Sequence, residues 1–217
     1  MKDVYDYAKF FIKNGADSTP NTYDGNMKLQ KLLVFADLIS IAEHGKPLFN
    51  EQVLAFQNGC VVEKIRLRYK NDYFGFKHDS EIFQPDFSEQ EYSVLNLVME
   101  IFGNASAKEL SEINHTFNFW KIAFDKGTTS NGYHSKSQSV VDMMSQIEDI
   151  DKMREIIYAY REVSNDVTAS ELINGIRFYY DGFVLTDEML EELEIFSLSA
   201  DEDAYSVYVD NGKLVVY

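Results

Sequence analysis

The feature that most restricts this chain is the apolar run between residues 29 and 42: Leu29, Leu32, Leu33, Val34, Phe35, Ala36, Leu38, Ile39, Ile41 and Ala42. Strands rarely exceed about ten residues, so the run reads as a helix. Its polar positions (Lys28, Gln30, Lys31, Asp37, Ser40, Glu43) do not collect on one narrow face. A helix apolar on most sides must be buried on most sides, which makes this the expected central helix of a domain. His44-Gly45-Lys46-Pro47 ends it, because Gly accepts the left-handed cap and Pro cannot continue a helix. A strand is expected over 52–57, and Asn58-Gly59 turns the chain into Val61-Val62.

The flanking segments are predominantly helical. Asp3 caps a first helix carrying Val4, Tyr7, Ala8, Phe11 and Ile12 on one face, ended by Gly15, and Asn26 is the expected cap of the central helix. Residues 61–69 read as a short helix bearing the main basic cluster (Lys64, Arg66, Arg68, with Lys70 beyond), and 71–87 as loop with a short strand. Ser88-x-x-Glu91 and Ser106-x-x-Glu109 are capping boxes, each opening a helix, and 115–124 adds another helical segment. Residues 127–139, rich in Gly, Ser and Thr, are expected to form an exposed, mobile loop. Val140, Met143, Met144 and Ile147 mark a helix, and Met153, Ile156, Ile157 and Tyr160 another, with a break near residues 149–151.

The last part of the chain changes character. Thr168-x-x-Glu171 reads as the start of a brief helix closed by Gly175, and 176–185 as strand, Asp-Gly turn, strand. Thr186 caps a helix with Met189, Leu190, Leu193 and Phe196 inward. Residues 205–217 form a hairpin about Asn211-Gly212. The fold class expected is therefore mainly α with a short β segment over residues 1–163, followed by a small acidic α+β appendage over 164–217 that ends in a β-hairpin.

Composition narrows the functional classes. The net charge is −16, and residues 164–217 hold twelve acids against two bases. Such a chain is repelled by nucleic-acid phosphates and anionic membranes, so neither is an expected partner. An acidic surface serves solubility, or docks a basic partner, or imitates nucleic acid. The single cysteine excludes an internal disulfide and fits a reducing compartment. The first eleven residues carry acids inside their apolar stretch, unlike a secretory signal, and no run approaches the ~18 apolar residues of a membrane span. The expected location is cytoplasmic.

Chemistry-bearing motifs are sparse. His44, His78, His115 and His134 are scattered, with neither an HExxH pair nor a CxxC spacing. A thiol–imidazole pair of Cys60 with His115 competes with the simpler reading of a buried thiol and a structural histidine, which is preferred. Neither GxxxxGK[ST] nor GxGxxG is present. Asp181-Gly182 and Asp201-Glu202-Asp203 lack the alternating ligand loop of a calcium site. His115 and Trp120 read as a packed pair. The expectation is a protein without catalytic residues, metal or cofactor.

One resemblance is specific. Residues 27–36 (MKLQKLLVFA), Gly45-Lys46-Pro47-Leu48-Phe49, Phe56 with Gly59-x-Val61-Val62, Leu110-Ser111-Glu112-x-x-His115 and Trp120-Lys121 together resemble the Panacea-domain antitoxins, the SocA-like and GepA-like phage-associated proteins. The resemblance spans roughly residues 1–160. Cys60 stands where these proteins usually carry Pro, and Phe119 precedes the Trp where Pro is also common. What the resemblance implies is the antitoxin of a type II toxin–antitoxin system. Such a protein neutralises a cognate protein toxin, encoded beside it, by direct binding, and one relative resembles an adaptor delivering its toxin to a AAA+ protease. Binding of this kind needs an aromatic anchor within a charged rim. The candidate partner-binding residues are Phe178, Tyr179, Tyr180, Phe183, Tyr205 and Tyr208 in the acidic appendage, and the opposing reading is that these rings pack the appendage itself. The alternative function is a phage- or prophage-encoded acidic protein that imitates nucleic acid and blocks a host DNA-binding or defence factor.

Overall fold

The computed structural model describes residues 2–165, 169–210 and 213–217, with side chains described outside 163–165. The chain is mainly helical and divides into two compact units, Met1–Ile157 and Tyr158–Tyr217. The division falls six residues before the expected boundary at 163/164.

The first unit is built on the helix the apolar run demands. α2 (Tyr23–His44) follows α1 (Val4–Lys13) and is buried without interruption from Lys28 to Ala42. Thr22, rather than Asn26, caps it by accepting from the Gly25 amide at 3.0 Å, which frees Asn26 to donate to the Arg66 carbonyl. Gly45 ends it in the left-handed conformation at φ 67°. Around it run the hairpin β1 (Val53–Phe56) and β2 (Gly59–Val62), then α3 (Glu63–Asn71), α4 (Tyr73–Glu81), α5 (Glu89–Phe102), α6 (Ala107–His115) and α7 (Asn118–Gly127). Both capping boxes form, at Ser88/Glu91 and Ser106/Glu109.

Burying α2 on all sides creates a problem for its polar residues, since an unpaired buried polar group costs about 1–3 kcal/mol. Each is matched to a neighbouring segment. Lys28 donates to the Gly103 carbonyl (2.7 Å), and Lys31 donates to the Cys60 carbonyl (3.0 Å). Gln30 accepts from the Val62 amide (2.9 Å) and Asp37 from the Leu48 amide (2.7 Å), while Ser40 donates to the Lys46 carbonyl (2.9 Å). The polar side chains of the core helix thus fix the backbone of the segments that enclose it. The apolar remainder packs Phe35 on Phe102 at 4.5 Å between ring centroids.

Several local expectations are corrected. Residues 61–62 belong to β2, and the helix begins only at Glu63. The aromatic segment read as loop contains α4: Asp72 accepts from the Gly75 amide, and Tyr73, Phe76 and Ser80 are buried at helical spacing. The exposed Phe74 between them blurred that period. Residues 140–146 are not helical. The open edge of β1 recruits the chain there, through Ala55 N–H to the Ser139 carbonyl (2.8 Å) and Val141 N–H to the Val53 carbonyl (2.9 Å). The preceding loop is exposed along much of its length yet tethered, because His134 bonds both the Ala55 carbonyl and the Thr128 hydroxyl. α8 (Ile147–Asn165) is continuous through 149–151. Asp149 is buried there because its carboxylate accepts from the Asn118 and Phe119 amides at the start of α7, a helix with no side-chain cap of its own.

The second unit contains a four-stranded sheet in the order β3 (Ala169–Ile173), β4 (Ile176–Tyr180), β5 (Ala204–Asp210), β6 (Lys213–Val216). The brief helix expected to end at Gly175 is instead strand β3; Thr168, its expected cap, lies outside the described residues. Asn174 (φ 52°) and Gly175 (φ 87°) form a tight turn joining β3 to β4, the positive-φ pair that suits a two-residue hairpin. No strand follows Asp181-Gly182, because β4 already has β3 on one side and β5, parallel, on the other. α9 (Asp187–Ser197) makes the crossover between these parallel strands, capped by Thr186 as expected. The expected terminal hairpin forms as β5 and β6; its turn residues Asn211 and Gly212 lie outside the described residues.

Asp37 supplies a pH test of this core. Burial pushes its carboxyl from 3.8 up to about 7 against the opposing pull of the Leu48 and Phe49 amides. A carboxyl raised on folding contributes stability that is complete below pH ~4 and is lost as pH rises through about 7. Asp37→Asn keeps an acceptor and removes the charge. Its stability difference from wild type should therefore shift in the variant's favour between pH 4 and 8. Asp37→Leu should cost about 1–3 kcal/mol for each amide left unpaired, read by urea unfolding.

Candidate functional site

Two surfaces merit a functional reading, one in each unit. In the second unit the alternation of β-strands divides the six candidate aromatics. Phe178 is fully buried and forms the core with Leu193 and Val207. Tyr180, Phe183 and Tyr205 pack half-buried against that core, with Tyr205 stacked on Phe178 at 6.0 Å. Phe178 therefore has no surface to offer a partner. Tyr179 and Tyr208 point to the opposite face and are 39% and 45% exposed. The pairings Ser170–Tyr179, Leu172–Arg177, Tyr179–Ser206 and Tyr208–Val215 carry that face across the sheet. Exposed Leu172 and Tyr217 extend it, and Tyr217 meets Tyr208 edge-on at 5.4 Å. Leu172 escaped sequence reasoning because 168–175 read as helix. The acids of α9 (Asp187, Glu188, Glu191, Glu192, Glu194) and Asp201-Glu202-Asp203 are exposed.

The first unit contains a cleft of about 610 Å³ between the start of α2, the β1–β2 turn, α3 and Lys136. Its charged lining residues are all cations: Lys31, Arg66, Lys70 and Lys136. Arg66 and Lys136 share the Glu63 carboxylate, which Arg66 grips with both Nε (2.6 Å) and an Nη (3.0 Å). Lys31 and Lys70 have no carboxylate partner among the described residues. Phe56 lies beneath two of the cations, with the Arg66 guanidinium 5.9 Å and the Lys136 ammonium 5.8 Å from its ring. Sequence reasoning found Arg66 and Lys70 as part of a basic cluster. It had no signal joining them to Lys31 or Lys136, which arrive from a core helix and a distant loop.

Behind the cleft, the Cys60 peptide is held from both sides, its amide donating to Asn114 (2.7 Å) and its carbonyl accepting from Lys31. Gly59, at φ 92°, fits there because a Cβ would stand 2.5 Å from the Asn114 side-chain oxygen and 2.7 Å from Lys31 Cε. Burial pushes the Cys60 thiol up to about 12, the nearby Lys31 and Asn114 opposing it, so the thiol stays protonated near neutral pH. His115 packs on Trp120 with its ring tilted by 36°, 4.0 Å between centroids, and Trp120 donates to the Phe56 carbonyl (2.8 Å). Burial, then the Lys31 charge, lowers the His115 pKa. Among the described residues, no three His, Cys, Asp or Glu side chains converge as a metal site, and no helix is long and apolar enough to cross a membrane.

Residues 29–121, from α2 into α7, match the family model described as antitoxin SocA-like, Panacea domain. The match covers the core of the wider stretch, roughly 1–160, over which the resemblance was read. No curated protein and no solved structure matches the chain.

The split of the aromatics is testable. Phe178→Ala should destabilise the second unit by about 3–5 kcal/mol, whereas Tyr208→Ala should cost less than about 1 kcal/mol. Hydrogen exchange of the 169–217 amides distinguishes the two. Gly59→Val should destabilise the first unit, since the β-branched side chain meets both the left-handed backbone and Asn114.

Proposed function

We propose that this chain, whose residues 29–121 match the SocA-like Panacea domain model, is an antitoxin that neutralises a cognate protein toxin by direct binding and performs no catalysis. The observation that carries the reading is the sheet face of Leu172, Tyr179, Tyr208 and Tyr217, exposed aromatic area within a strongly acidic unit. An anchor of tyrosines inside a charged rim is the arrangement that concentrates binding energy at protein interfaces. The excess of acids over the unit as a whole favours a basic partner and speeds its approach, while Arg177 and Lys213 stand on the tyrosine face itself. Delivery of the bound toxin to a AAA+ protease extends the same reading, since a carrier needs only to hold both partners.

The acids exposed along α9 also support a second reading, an imitator of nucleic acid that occupies a host DNA-binding or defence factor. Salt separates the two. A phosphate mimic loses affinity steeply as ionic strength rises, whereas a tyrosine-anchored complex loses little.

Co-expression with the neighbouring open reading frame provides the functional test. The expected result is a product lethal alone, rescued by the wild-type chain, and co-purifying with it. Tyr179→Ala combined with Tyr208→Ala should leave the chain folded by circular dichroism and weaken toxin binding by roughly 2 kcal/mol or more. Cys60→Ala and His115→Gln should preserve rescue wherever they fold. Loss of rescue in a folded Cys60→Ala chain would contradict a purely binding role.

A further inference from the structure

We propose that the cleft formed by the start of α2, the β1–β2 turn and α3 is a binding site for a nucleoside phosphate, with its phosphates on the lysine and arginine side chains and its base against Phe56 and Tyr23.

The first observation is charge. In a chain of net charge −16, a concave surface whose charged lining residues are Lys31, Arg66, Lys70 and Lys136 runs against the composition. Among the described residues, the one carboxylate that pairs with any of the four, Glu63, is shared between Arg66 and Lys136, leaving a surplus of positive charge. Two other cavities of the first unit are different in kind. One includes Glu91 beside Lys46, and another sets Asp3, Asp6 and Asp79 against Lys9 and Arg68.

The second observation is Lys31. The residue is 1% exposed and lines the cleft, and among the described residues its ammonium has a single protein acceptor, the Cys60 carbonyl, for its three donors. Burial pushes it down to about 8. A buried ammonium with one neutral acceptor is costly to keep charged, and an anion placed on it removes much of that cost. Only a ligand small enough to enter the cleft reaches it, which favours a free anion over a side chain on a partner's surface.

The third observation is shape and ring chemistry. About 610 Å³ lies within the range of cofactor-sized pockets. Phe56, already flanked by two cations, and Tyr23 at the rim, 68% exposed, supply flat faces on which a heterocyclic base stacks. A bare phosphate would use the cations and leave these rings idle.

Isothermal titration calorimetry of the full chain with ATP, GTP, UTP and pyrophosphate, paired with thermal-shift measurements, tests the assignment. The expected result is that at least one nucleotide binds tighter than about 1 mM and raises the melting temperature, with pyrophosphate weaker. Lys70→Ala combined with Lys136→Ala, both surface truncations, should weaken that nucleotide by roughly tenfold or more. Phe56→Leu should weaken the nucleotide but not pyrophosphate, and Lys108→Ala, on α6 outside the cleft, should change nothing. Three results would overturn the proposal: no binding by any nucleotide, nucleotide binding indifferent to the double lysine variant, or pyrophosphate binding as tightly as the nucleotides. An aspartate/glutamate-rich peptide that binds the cleft where nucleotides fail would likewise replace it with a peptide site. Toxin rescue is scored separately, so failure here leaves the antitoxin reading standing, and the reverse also holds.

Discussion

The first unit depends on one constraint: a helix buried on every side must find partners for its own polar side chains inside the core. α2 meets it chiefly by reaching outward to backbone, with side-chain bonds from Lys28 to Ser18 and from Gln30 to Asn26 beside these. Lys28, Lys31 and Ser40 donate to the carbonyls of Gly103, Cys60 and Lys46, while Gln30 and Asp37 accept from the amides of Val62 and Leu48. Apolar burial supplies most of the driving force but is indifferent to register. These five polar links are directional, and they specify which loop sits against which turn of the helix.

The same economy produces the cleft. Lys31 holds the hairpin by its Cys60 carbonyl, and Gly59 lets the hairpin come close enough for that bond. A side chain recruited to fix the backbone thereby becomes the charged floor of a cavity. Arg66 and Lys70 reach its rim because α3 starts directly after β2, and Lys136 reaches it because the loop that carries it is tied to β1 through His134 and Ser139. Packing and ligand chemistry share residues here, so variants of Lys31 report on both and variants of Lys70 on one.

The central helix was legible because its apolar run admits only one kind of element, and the capping boxes because Ser and Glu three apart satisfy backbone groups locally. The terminal hairpin showed for a similar reason, as β-formers flanking Asn-Gly. What escaped depends on contacts far away in sequence. Residues 140–146 carry a helical spacing, yet the open edge of β1 outcompetes it. Asp149 reads as a helix breaker until the unpaired amides of α7 appear beside it. In the second unit Asn174-Gly175 is as clear a turn signal as Asn211-Gly212, but the Thr168/Glu171 spacing drew the reading towards a helix. The aromatic candidates could not be sorted by face from sequence, since strand alternation cannot be applied until the strand is known. The cleft was legible only in its α3 portion.

Native-state hydrogen exchange along α2 tests the central claim most directly. If the polar links and the surrounding core hold α2 as described, the amides from Leu32 to Ile41 exchange only through global opening of the first unit. Their opening free energies should then converge on its unfolding free energy and fall together in Asp37→Leu. Exchange of these amides through a smaller, local opening while α5 and α6 remain protected would contradict it.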